Sequence, residues 1–168
     1  MNYTDITGLA GIAILAVALE ASSLPIKRSP GYGYGLLCVV TGLLVVIPFA
    51  DFSAAVYVRG VTGDLSITSL VLLSMVIVKR VFSLLTSSGF QIKAVYALVV
   101  PVGLIFYPMA LGLGSYDPYS LGFGSTGFLA SVFALAIIAW FRAYTLISLC
   151  LALAMGAYTV DWYASSNL

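Results

Sequence analysis

The sequence predicts an all-α fold, a polytopic transmembrane bundle of about six helices that fills the chain as one domain, with both ends outside the cytoplasm. Three observations predict it. Only 8% of the 168 residues are charged and 62% are apolar, whereas a soluble domain carries roughly 25% charged residues to keep its surface wet. The apolar residues gather into long runs without period-two alternation, and in hydrocarbon a run of that kind satisfies its backbone as a helix. Six of the seven basic residues fall on links that alternating spans put on one side of a bilayer, and the positive-inside rule makes that side cytoplasmic.

The first run, about 6–24, follows Asp5 and is closed by Pro25. Its start has no basic residues, so it reads as a retained helix and not as a cleaved leader. Lys27 and Arg28 mark the first cytoplasmic link. The second run, about 34–50, carries Pro48 near its end. The third, about 65–85, has a strictly apolar stretch at 67–78 that is too short to span alone; Lys79 and Arg80 extend it by laying their aliphatic stems toward the headgroups. The fourth, about 94–113, contains Pro101 and Pro108 as expected kinks. The fifth, about 127–141, is short unless it runs back through the glycines of 121–126, which makes it about 121–141, and the sixth covers about 143–163.

Lys93 and Arg142 complete the cytoplasmic set, while Asp5, Asp51, Asp64, Asp117 and Asp161 all map to the opposite side. Trp140, Trp162 and Tyr163 fit interfacial anchors. The two longest links are about a dozen residues each, which leaves no room for a soluble domain. The expected location is therefore a cytoplasmic (inner) membrane of bacterial type, crossed several times.

Composition also excludes chemistry. There is no histidine, and Cys38 and Cys150 sit far apart within apolar runs, so haem, imidazole-bound metal and paired-thiol sites lack their ligands. No cofactor or metal is expected. Both cysteines read as buried small hydrophobes, with an inter-helix disulfide as the alternative. A net charge of +1 without a basic stripe argues against a nucleic-acid partner.

Candidate site residues come from departures from this pattern. Arg59 is the one basic residue on the outer side, in an apolar link from Asp51 to Asp64. Such a link packs on the helices or dips into the membrane, where a guanidinium needs a carboxylate partner, and Asp51 and Asp64 are at hand. One reading has Arg59 and Asp64 pin the loop, with Asp64 and Ser66 capping the next helix. The other makes Arg59, the Gly60 and Gly63 backbone and that helix start an outward anion site for a phosphate or carboxylate headgroup. Gly60-Val-Thr-Gly63 lacks the Lys-Ser/Thr ending of a nucleotide loop. The second outer link holds Tyr116, Asp117 and Tyr119 among glycines; it reads either as an interfacial loop or as the other wall of the same pocket.

Glu20 lies inside the first run. An acid there is a proton or cation candidate, or else reaches the interface or pairs with Lys27, Arg28 or Arg142. Gly8, Gly11, Gly42 and Gly156 are positions for close helix approach. The similar Gly/aromatic stretches at 31–35 and 121–124 fit an inverted repeat of two three-helix halves.

These features favour a small binding or accessory component that recognises a membrane lipid or another anionic amphiphile from outside, alone or within a homo-oligomer or larger membrane complex. A subunit of an oligomeric transporter or channel is the alternative. A lipid-headgroup enzyme resting on Asp51, Asp64 and Arg59, with a substrate-borne metal, ranks third.

Overall fold

A computed structural model describes residues 3–23, 32–49, 52–82, 89–113 and 126–162. Within them the chain is helical: α1 (Tyr3–Ser23), α2 (Tyr32–Val46), α3 (Ala54–Thr62), α4 (Ile67–Phe82), α5 (Gly89–Pro108), α6 (Thr126–Phe141) and α7 (Thr145–Thr159). A π-helical turn, Met109–Leu113, follows α5, and a two-residue antiparallel pair, Pro48–Phe49 with Phe52–Ser53, precedes α3. A helix stands at each of the six apolar runs. By length and composition two are sufficient to cross a membrane, Asp5–Ser23 and Gly89–Pro108; Gly33–Val46, Thr126–Phe141 and Thr145–Thr159 are apolar but shorter.

The chain divides into two compact units, Met1–Thr86 and Ser87–Leu168. In the first, α1 packs on α2, α3 and α4. Its apolar contacts form two groups along α1. Leu9 and Ile12 meet Ala55 of α3, with Val45, Val46 and Leu65 around them. Nearer the far end, Val17 and Ala21 meet Tyr34 and Cys38 of α2, with Ile77 and Val81 of α4 alongside. Gly11 and Gly42 face these contacts without being required by them: a Cβ on Gly11 would meet Leu70 at 3.5 Å and one on Gly42 would meet Val17 at 3.6 Å, ordinary van der Waals distances. Gly156, by contrast, has open space around it.

In the second unit α6 packs on α7, which also meets α5. Ala136, Ala139, Leu146, Ser148 and Cys150 are buried there, with Val95 from α5. Tyr144 precedes α7 without giving a side-chain cap. Gln91 of α5 supplies one: its Oε1 accepts from Leu146 N–H at 3.4 Å, and its Nε2 donates to Ala143 O at 2.7 Å. Phe90 stacks on Tyr144, ring centroids 5.6 Å apart. Both cysteines are buried and free, so the disulfide alternative is not realised.

Several boundaries differ from the sequence reading, each for a local reason. Pro48 lies outside α2, in the strand pair; with no N–H to donate it does not continue the helix. The link 51–64, read as irregular, contains α3. Ser53 Oγ accepts from Val56 N–H at 3.3 Å to start it, and Gly63, at φ +70°, ends it by donating its N–H to Arg59 O. A left-handed φ of that kind favours glycine. α5 begins at Gly89, five residues early, because Gln91 and Lys93 belong to the helix. Pro101 is inside α5, and Pro108 closes it at the π-helical turn, where Gly112 has φ +85°. α6 and α7 end without glycine. Tyr144 N–H reaches Ala139 O while Ala143 N–H reaches Trp140 O, and Trp162 and Asp161 repeat this on Ala157 and Tyr158. Ala143 and Asp161 thereby take positive φ, 59° and 49°, in the double hydrogen-bond closure that glycine usually serves.

Candidate functional site

Arg59 is the centre of a polar group at one end of the first unit. It leaves α3 half a helix after Ser53, on the same side as Ala55, which is fully buried against α1. Its Nε donates to Asp64 Oδ1 at 2.6 Å and its Nη2 to Asp64 Oδ2 at 3.2 Å, a two-point pair. Its Nη1 donates to Asp5 Oδ1, in the first turn of α1, at 3.2 Å. The Arg59 and Asp64 side chains are each 21% exposed, and Asp5 is 45% exposed. Planar two-point pairing of this type is the strong form of the guanidinium–carboxylate contact.

Space for the pair comes from α1. A Cβ built on the buried Gly8 would overlap Arg59 Nε and Cζ and Asp64 Oδ1. Gly8 stands one turn beyond Asp5, so the acid and the gap share a helix face. Hydrogen bonding to Asp64 holds the Arg59 guanidinium above its ordinary range; partial burial opposes this less strongly, and Asp5 adds to the rise. For a raised basic group the stabilisation is complete below its ordinary range and is lost only above it. The arginine end of the lock therefore stays charged at every working pH.

Of the residues expected at an outer pocket, Arg59 and Asp64 are brought together; Asp51, Tyr116, Asp117 and Tyr119 lie outside the described residues. Asp64 does not cap α4. Its carboxylate is committed to Arg59, and Ser66 does the capping, its Oγ accepting from Ser69 N–H at 3.2 Å. Nor do the two glycines offer an anion cradle: Gly60 is inside α3, where its N–H belongs to the helical ladder, and the Gly63 N–H is bonded to Arg59 O. With two carboxylates on one guanidinium the group carries a formal charge of −1. The arrangement joins Arg59 of α3 to Asp64 and to Asp5 of α1, a partner that sequence distance concealed.

Polarity in α3 is turned inside out. Ala55 and Arg59 face α1, while Tyr57, Val58 and Val61 face outward, Val61 with 90% of its surface exposed. Phe49 and Phe52 beside it are exposed as well, and Phe52 meets Tyr57 edge to face at 5.9 Å.

Glu20 occupies the other end of α1, packed among the helices. Both carboxylate oxygens are buried and without a hydrogen-bond partner, so the pairing with a basic residue is not made among the described residues. Tyr34, 8% exposed, has its hydroxyl buried beside Cys38 and Arg80. Glu20 is close enough to Tyr34 and Cys38 to act on both electrostatically, and the Arg80 guanidinium lies 5.8 Å from the centre of the Tyr34 ring. Among the described residues no three potential metal-binding side chains gather.

In the second unit an apolar groove of about 580 Å³ lies between α6 and α7, lined by Phe133, Ile137, Trp140, Ser148 and Met155. Its walls offer contact to hydrocarbon and almost nothing to a polar ligand. The chain matches no protein-family model, no curated protein and no solved structure.

Proposed function

We propose that the chain is a small polytopic integral membrane protein with about six spans and both ends outside, acting as a binding or accessory component that takes a lipid or another anionic amphiphile at its outer face. The inverted polarity of the helices carries this reading. Arg59 and Glu20 point inward, whereas Val61, Leu104, Phe141 and Leu44 point outward with most of their surface exposed. In water each such side chain forgoes roughly 1.5–3 kcal/mol of burial; in hydrocarbon nothing is lost. α3 supports an outer-face role, because a short helix with aromatic and apolar residues outward and one arginine suits the headgroup layer.

The headgroup phosphate is read as a competitor of Asp5 for Arg59. Asp5 is the more exposed of the two carboxylates and meets Arg59 at the longer distance, while Asp64 keeps its two-point hold. The test is lipid retention by protein purified in native-membrane discs, quantified by mass spectrometry. Arg59→Ala should lose the bound anionic lipid, and Asp5→Asn should retain more of it than wild type. Equal lipid content in all three would reduce Arg59 to a brace. Topology is tested separately by labelling single cysteines, in a background lacking Cys38 and Cys150, from outside intact cells. Labelling beside Lys93 in place of the region near Asp117 would invert the arrangement.

A subunit of an oligomeric transporter or channel is the second reading, favoured by one observation: the buried carboxylate of Glu20, which has no partner among the described residues.

A further inference from the structure

We propose that Glu20 and Tyr34 form a proton-binding site in the interior of the first unit, with the Glu20 carboxylate accepting the proton and the Tyr34 hydroxyl as its polar neighbour. The inference rests on the second reading only for its biological purpose; the site itself follows from the packing of α1, α2 and α4. Both Glu20 carboxylate oxygens are buried with no hydrogen-bond partner among the described residues, and the buried Tyr34 hydroxyl, itself beside Cys38 and Arg80, is their polar neighbour. Buried polar atoms are nearly always paired, and an exception calls for a ligand or a functional state. The carboxylate acts on Tyr34 and Cys38 of the packed group Val17, Ala21, Tyr34 and Cys38.

The chemistry of the surroundings selects the ligand. A divalent cation takes six or more oxygens, whereas the Glu20 and Tyr34 side chains supply three. Arg80 stands over the Tyr34 ring, and its charge disfavours any metal cation near the carboxylate. A proton needs one oxygen and brings no coordination shell. From α2 the titratable groups facing Glu20 are Tyr34 and Cys38; from α4 the charged group is Arg80, with Lys79 beside it in the last turn. The Asp5–Arg59–Asp64 group is at the opposite end of α1, about 22 Å away at 1.5 Å per residue. The step is a simple association: a proton from the aqueous phase binds one Glu20 oxygen, and the same O–H bond breaks on release.

The test is pH-difference infrared spectroscopy of the full chain in lipid vesicles, reading the carbonyl stretch of a protonated carboxylic acid. A band that titrates in wild type, vanishes in Glu20→Gln and shifts in Tyr34→Phe is the expected result. A band that persists in Glu20→Gln, or the lack of any titrating band in wild type, would overturn the proposal. Should Glu20→Gln fail to fold, labelling of wild type by a lipid-soluble carbodiimide replaces it. Since Glu20 is the only glutamate, peptide mass spectrometry locates the adduct: labelling that rises as pH falls supports the site, and an unlabelled Glu20 removes it. Proton flux across the vesicles tests the transport reading alone. A titrating Glu20 without flux would sink that reading and leave the site standing.

Discussion

The two ends of α1 treat the same functional group in opposite ways. Asp5, in the first turn, sits where the helix dipole favours negative charge, and it meets a guanidinium already paired with Asp64. Glu20, in the last turn, sits where the dipole disfavours it, with both oxygens buried and unpartnered among the described residues. The first end shows what the fold does with an acid that holds elements together: it is matched, partly solvated and given a glycine-shaped space. The second lacks all three provisions, so a structural role does not explain Glu20. A charge inside an apolar protein is informative chiefly through what has, or has not, been placed around it.

Four substitutions break or sharpen this contrast, and thermal or denaturant unfolding in detergent reads each of them. Arg59→Ala should have the largest effect, lowering stability by about 3 kcal/mol, because it leaves Asp5 and Asp64 as neighbouring like charges. Gly8→Ala should cost about 2 kcal/mol by driving a methyl group into the Arg59–Asp64 pair. Its cost should shrink in an Arg59→Ala background, since the two changes act on one contact; full additivity would show that the collision lies elsewhere. Glu20→Leu should go the other way and raise stability by about 1 kcal/mol, as the loss of an uncompensated buried acid does. A drop of similar size would mean that Glu20 has a structural partner, and the contrast would collapse. Asp5→Asn should be the mildest, below about 1 kcal/mol and smaller still in high salt, because Asp5 is nearly half exposed.

Much of the helical framework was legible because the apolar runs are long, and each of the six contains a helix. α3 was not. Its outward residues Tyr57, Val58 and Val61 made the link look uniformly apolar, and only the Ser53 start and Gly63 stop framed a helix there. The stops after α6 and α7 were hidden because Ala143 and Asp161 stand where glycine would have signalled them. In the candidate site, Arg59 with Asp64 was readable from five residues of separation across a turn. Asp5 lies 54 residues from Arg59, a distance that sequence pattern does not bridge. Gln91 lies just before the fourth run as read from the sequence, and its contacts with the start of a helix more than fifty residues on are equally beyond sequence pattern.

In the proposed membrane-spanning arrangement the length of α7 would bear on the surrounding lipid. Its 15 residues run from Thr145 to Thr159, with left-handed turns at Ala143 and Asp161 on either side, so its rise is about 23 Å. A hydrocarbon layer is about 30 Å thick, and a spanning helix several ångströms short is accommodated by local thinning of the bilayer or by clustering of like-mismatched chains. Membrane thickness would then act as a sorting signal, drawing the protein toward thin regions and toward its own copies without any dedicated contact.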